Sequence, residues 1–280
     1  MNFESFPQRK SKDLISEATG LKVSTTWEET IWSQCREEVQ VNYRSNPRLC
    51  VATLLPFKGG NPDWKGFEKM IEWMIQSARH FGVEISFVLN ADTGYVFNLS
   101  LELYEEVICR FRAIHPNASF LCGVTALSAS SDEFDATRYH PHLEIAQAHQ
   151  PCEVMIMTSQ ALNRLEPEKR RDAYFKIAEK IEVPALVHAL EPAFVPWATP
   201  FEPWLLYQLA SHEKFTGGKI STLDEPHFLY WSSMTRDLGL DFQPYSGDDF
   251  GIASAIRMGL PLLIGAVSYT HLTLPTILLV

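Results

Sequence analysis

From residue 49 to residue 267, short apolar and β-branched runs alternate with longer amphipathic stretches, and this pattern restricts the fold of the 280-residue chain more than any other feature. Strands are predicted at Leu49–Leu55, Glu84–Asn90, Ser119–Thr125, Cys152–Thr158, Val183–Ala189, Phe215–Ser221, Phe242–Ser246 and Pro261–Val267. Helices are predicted between them over 63–80, 100–113, 138–149, 167–180, 200–211, 224–237 and 248–258. Continuous apolar runs of this length suit strands buried on both faces, and the helical stretches supply the crossovers that parallel strands need. Eight alternating units favour an α/β closed (β/α)8 TIM barrel; periodicity alone leaves an open doubly wound sheet as the alternative.

Residues 1–47 carry patchy helical signals over Trp27 to Val39 and end in the breaker Ser45-Asn46-Pro47, so they read as an extension ahead of a barrel spanning 48–268. The eighth helix and the C-terminal helices are expected to be missing. The run Ser268-Tyr269-Thr270-His271-Leu272-Thr273-Leu274-Pro275-Thr276 resembles a translated sequencing-adapter segment. Residues 269–280 are accordingly read as a non-native tail, and the barrel as truncated with apolar strand surface uncovered. The alternative is a genuine apolar terminal strand.

Lys+Arg number 24 against 34 Asp+Glu, a net charge of -10, which argues against the broad positive footprint that nucleic acid requires. Met1 to Asp13 is polar and no run of 18 apolar residues follows, so neither export nor membrane insertion is expected. The five widely spaced cysteines contain no CxxC pair and suggest reduced thiols in the cytoplasm.

Active sites of such barrels lie at the C-terminal ends of the strands. Lys219 is the one lysine inside a predicted strand, Phe215-Thr216-Gly217-Gly218-Lys219-Ile220-Ser221. Period-two alternation places it on one face with Phe215, Gly217 and Ser221, the small Gly217 leaving room beside it. An amine inside a barrel is desolvated, which favours the neutral form that attacks carbonyls to give an iminium. The alternative is a misassigned strand and a solvated loop lysine.

Four segments stand at the ends of predicted strands: Lys219-Ile220-Ser221-Thr222-Leu223-Asp224, Tyr245-Ser246-Gly247-Asp248-Asp249, Leu54-Leu55-Pro56-Phe57 with Asp63, and Ala91-Asp92-Thr93-Gly94 with Leu99-Ser100. In that order they resemble the sixth-strand signature, the seventh-strand segment, the opening segment and the second-strand loop of the dihydrodipicolinate synthase and N-acetylneuraminate lyase superfamily. The resemblance implies that Lys219 forms a Schiff base with pyruvate or another 2-keto acid and that Thr93 and Gly94 hold the keto-acid carboxylate. Asp92 and Gly247 are assigned with them as substrate-binding. It implies no metal or organic cofactor, a small-molecule keto acid as partner, and a possible homo-oligomer.

The sequence departs from the family where Met157-Thr158-Ser159-Gln160-Ala161-Leu162 replaces a Pro-Tyr-Tyr segment, and where Asp92 and Tyr95 replace a threonine and a glutamate. No arginine matches the one that helps bind the second substrate in the synthases. An acid/base is still required, and His188, Asp92 and Tyr95 are the candidates. His188 suits the task best near pH 7, against a hydrogen-bonded core histidine as the alternative. His140-Pro141-His142 has the look of a metal pair but reads better as a solvated helix start, and Asp248 and Asp249 fit helix N-capping as well as acid/base work. The sequence thus predicts a class I aldolase or lyase with catalytic Lys219 and His188. The alternatives are an inactive keto-acid-binding or regulatory barrel and a metal-dependent hydrolase.

Overall fold

The computed structural model describes residues 48–126, 133–222, 225–248 and 252–265. The extension expected over 1–47, the tail over 269–280, and Asp224 and Asp249 lie outside the described residues.

Eight parallel strands close into a barrel: β1 (Leu49–Ala52), β2 (Ile85–Leu89), β3 (Phe120–Val124), β4 (Glu153–Ile156), β5 (Ala185–Leu190), β6 (Phe215–Ser221), β7 (Gln243–Ser246) and β8 (Leu262–Ile264). Each pairs with its neighbours in sequence, and β1 closes the ring against both β2 (Leu49 opposite Ile85) and β8 (Leu49 opposite Leu262). All five residues of β3 are buried, as expected for strands covered on the inside by barrel side chains and on the outside by helices.

The helices are α1 (Trp64–Phe81), α2 (Leu101–Ile114), α3 (His140–Ala148), α4 (Pro167–Ala178), α5 (Pro203–Ala210), α6 (Glu225–Asp237) and α7 (Ile252–Arg257). Helix α1 shows why they form where they do. Asp63 accepts from the Gly66 N–H at 3.0 Å and caps its start, Phe67, Met70, Ile71 and Met74 recur at helical spacing on the buried face, and Gly82 at φ 63° ends it. The Asp63 that entered the motif reading is therefore a helix cap. Two features escaped the periodicity: an antiparallel ribbon pairing Phe57–Lys58 with Asn61–Pro62, and a single helical turn at Gln160–Asn163.

Among the described residues no helix follows β8. The outer faces of β1 and β8 instead border a groove of about 230 Å³ lined by Leu49, Val51, Trp73, Phe81, Val83 and Ile264. This cavity lies on the flank of the barrel, away from the strand ends that carry Lys219. No helix among the described residues is long and apolar enough to cross a membrane.

Candidate active site

β6 does not alternate regularly. Ala185 stands opposite Phe215 but Leu186 stands opposite Gly217, so Thr216 is an extra residue that shifts the register. Phe215 consequently turns outward, its ring set against Tyr174 of α4 and His212. Only Gly217, Lys219 and Ser221 of the expected four share the inner face. The room above Gly217 is also used differently from expectation: a Cβ there would lie 2.9 Å from Leu186 Cδ2 and 3.1 Å from the Tyr245 ring. The space for the lysine comes from Gly247, where a Cβ would lie 2.7 Å from Lys219 Cε and 2.9 Å from Ser221 Oγ.

Lys219 is 5% exposed. Its Nζ lies 3.4 Å from both carboxylate oxygens of Asp92, which the loop after β2 brings across the barrel mouth. Burial alone would raise the Asp92 carboxyl, but the Lys219 charge and the Thr93 backbone N–H outweigh it and hold the group at about 2. His188 of β5 stands directly opposite Lys219 in the strand register and is fully buried. Burial first, and then the nearby Lys219 charge, push its imidazole down to about 3, so it is neutral at pH 7. Its Nε2 lies 3.1 Å from Ser221 Oγ, while Nδ1 has no hydrogen-bond partner among the described residues. Lys219, Asp92, His188 and Ser221 form one cluster.

The Asp92-Thr93-Gly94 loop is a tight turn whose donors are largely engaged. Thr93 Oγ1 donates to the Thr53 carbonyl at 3.3 Å, Gly94 N–H to the Ala91 carbonyl at 3.0 Å, and Tyr95 N–H to the Asp92 carbonyl at 3.0 Å. Tyr95, at φ 61°, leaves half of its side chain open and sets its ring edge-on to Phe57 at 6.1 Å. Gly247 N–H donates to the Ile220 carbonyl at 2.9 Å. Asp248 is buried; the residues between it and α7 lie outside the described residues, as does the capping expected there.

At the end of β4, Ser159 caps the turn that follows, and Asn163 bonds both Thr158 and the Ser159 carbonyl. The polar residues that replace Pro-Tyr-Tyr thus shape the loop. His142 is not solvated as expected. It is buried, its Nδ1 2.9 Å from the Thr125 carbonyl and its ring packed on Tyr104, because helix α3 turns this face to the core. No three His, Cys, Asp or Glu side chains come together as a metal site among the described residues.

Ser221, on the lysine face, carries no motif role in the sequence and meets His188 in the fold. Glu191, directly after β5, pairs with His227 of α6 at 2.6 Å and is held low, its burial overcome by His227 and Thr222. A carboxylate closing an apolar run was the available signal.

No family model matches the chain. The chain is 26% identical over 223 residues to the 4-hydroxy-tetrahydrodipicolinate synthase of Thermodesulfovibrio yellowstonii, covering 79% of this chain and 68% of that protein. Among solved structures, the chloride-inhibited dihydrodipicolinate synthase of Acinetobacter baumannii in complex with pyruvate superposes with a TM-score of 0.65 at 24% identity, over 78% of this chain and 69% of that one. The Thermotoga maritima dihydrodipicolinate synthase gives 0.67 at 19% identity, over 80% and 71%. CdNal of Clostridium difficile in complex with mannosamine gives 0.65 at 16% identity, over 79% and 71%. The barrel therefore has the fold of the dihydrodipicolinate synthases. In sequence the chain is similar to one of these synthases, in line with the resemblance of its motifs.

Proposed function

We propose that the chain is a Schiff-base-forming class I aldolase or lyase in which Lys219 attacks the carbonyl of a small substrate. The observation that carries this reading is the buried Lys219 amine at the C-terminal end of β6, 3.4 Å from Asp92 and opposite His188. The likeness to dihydrodipicolinate synthases, one of them solved with pyruvate, supports the same chemistry. As the ammonium loses its proton, the amine adds to the carbonyl carbon. The carbonyl oxygen then leaves as water with one proton from the amine and one from an acid, and the iminium retains the remaining N–H. His188 and Ser221 carry protons beside that bond, and Asp92 aims the amine.

A second reading, a barrel that binds a carbonyl compound without turnover, is favoured by the Lys219–Asp92 ion pair itself. A paired ammonium is no nucleophile until its proton moves. Borohydride added to the folded chain with pyruvate or a neutral ketone decides between them. The expected result is a substrate-derived mass on the Lys219 peptide that is lost in Lys219→Ala; an unmodified Lys219 with every carbonyl tried favours the binding protein.

A further inference from the structure

A carbonyl carbon bonded to Lys219 Nζ carries its substituents about 2.5 Å from that nitrogen and their outer atoms about 3–4 Å away, as ordinary bond lengths require. Both oxygens of Asp92 already lie in that shell, at 3.4 Å. A carboxylate next to the reacting carbonyl would share this space with a second carboxylate. Among the described residues, Lys219 is the only cation paired with Asp92.

The loop that would receive an anion offers nothing in compensation. The Thr93 hydroxyl is committed to the Thr53 carbonyl, and the N–H groups of Gly94, Tyr95 and Val96 to carbonyls of Ala91 and Asp92. Loops bind anions through free N–H groups, and these three are already taken.

We propose that Asp92 sets an internal carboxylate beside the reacting amine, so that Lys219 takes an aldehyde or ketone bearing no carboxylate beside its carbonyl. The proposal rests on the Schiff-base reading above and revises the carboxylate grip expected of Thr93 and Gly94. Asp92 becomes the specificity-determining residue, rejecting 2-keto acids by like-charge repulsion at the short distance to the buried amine.

Hydroxyacetone and pyruvate test this directly, since both are methyl ketones and differ in a hydroxymethyl against a carboxylate. The full chain, Asp92→Thr and Asp92→Asn are titrated with each ketone in the presence of borohydride, and the mass of the Lys219 peptide is read. Folding is checked by circular dichroism. Wild type is expected to be half-modified at a hydroxyacetone concentration at least tenfold below that of pyruvate. In both variants the preference for hydroxyacetone over pyruvate, taken as a ratio within each protein so that any common loss of amine positioning cancels, is expected to fall at least tenfold. A wild type that prefers pyruvate, or folded variants whose ratio is unchanged, overturns the proposal while leaving the Schiff base standing. Absence of modification by either ketone in all three folded proteins overturns the Schiff-base reading as well.

Discussion

Gly247 and Lys219 are fitted to each other: a single Cβ at residue 247 would stand 2.7 Å from Lys219 Cε and 3.0 Å from the Ile220 carbonyl. The lysine stem can shift, but the strand carbonyl cannot. Gly247→Ala should therefore move the amine off Asp92 and destabilise the fold by about 1–3 kcal/mol, the usual range for overpacking. Urea unfolding reads the stability, and borohydride trapping of Lys219 reads the displacement. Unchanged trapping would mean that the seventh-strand glycine does not position the amine.

The Asp92–Lys219 pair has a defined pH signature. Asp92 is held at about 2 in the folded chain, because the lysine charge outweighs burial, and an unfolded aspartate titrates near 4. Its contribution to stability is thus complete above about pH 4 and is lost as the pH falls toward 2. The Asp92 side chain is 35% exposed, so solvent screens the pair and its contribution is on the order of 1 kcal/mol. The stability difference between wild type and Asp92→Asn, measured in urea, should be constant from pH 6 to pH 4 and shrink below it.

Among the described residues, Ser221 is the one hydrogen-bond partner of the His188 imidazole. Ser221→Ala should slow adduct formation at pH 7 by about 100-fold, the low end of the range for a lost proton-transfer group. The same change leaves a buried nitrogen unpaired and should lower stability by about 1–2 kcal/mol. Ser221→Thr, which keeps a hydroxyl, should restore the rate. A structural role alone would change stability without changing the trapping rate.

At the opposite end of the barrel, Arg48 joins Glu153 at 2.7 Å and donates to the Tyr245 hydroxyl at 2.9 Å. Glu153→Ala leaves the guanidinium without its counter-charge in a half-buried place and should destabilise the chain by about 2–3 kcal/mol. Arg171 and Asp172 form an equally short pair at 2.6 Å on the surface, yet Asp172→Ala should change stability by less than about 0.5 kcal/mol. Urea unfolding of the two variants side by side separates a buried pair from an exposed one.

The order of the elements was legible because each strand is covered on both faces. Double burial forces continuous apolar runs such as Phe120–Val124, and the Asp63 and Gly82 caps mark helix ends by local chemistry. Lys219 was legible for the same reason, being a lone charge in such a run. The turn of Phe215 was hidden, since the extra residue at Thr216 exists only in the pairing of β5 with β6. His142 likewise reads as solvated until α3 packs against Tyr104.

Burial dictates residue type along each strand, so eight strands in order, and one amine at the end of the sixth, can be read from the chain alone. Closure of the ring, and with it what that amine meets, belongs to the fold. Residues 92, 188 and 247 are separated from Lys219 by up to 127 positions along the chain, and barrel closure alone brings the Asp92 carboxylate within 3.4 Å of Nζ. A carboxylate's sign and distance act through space, so whether Asp92 binds substrate or excludes it follows from the folded geometry.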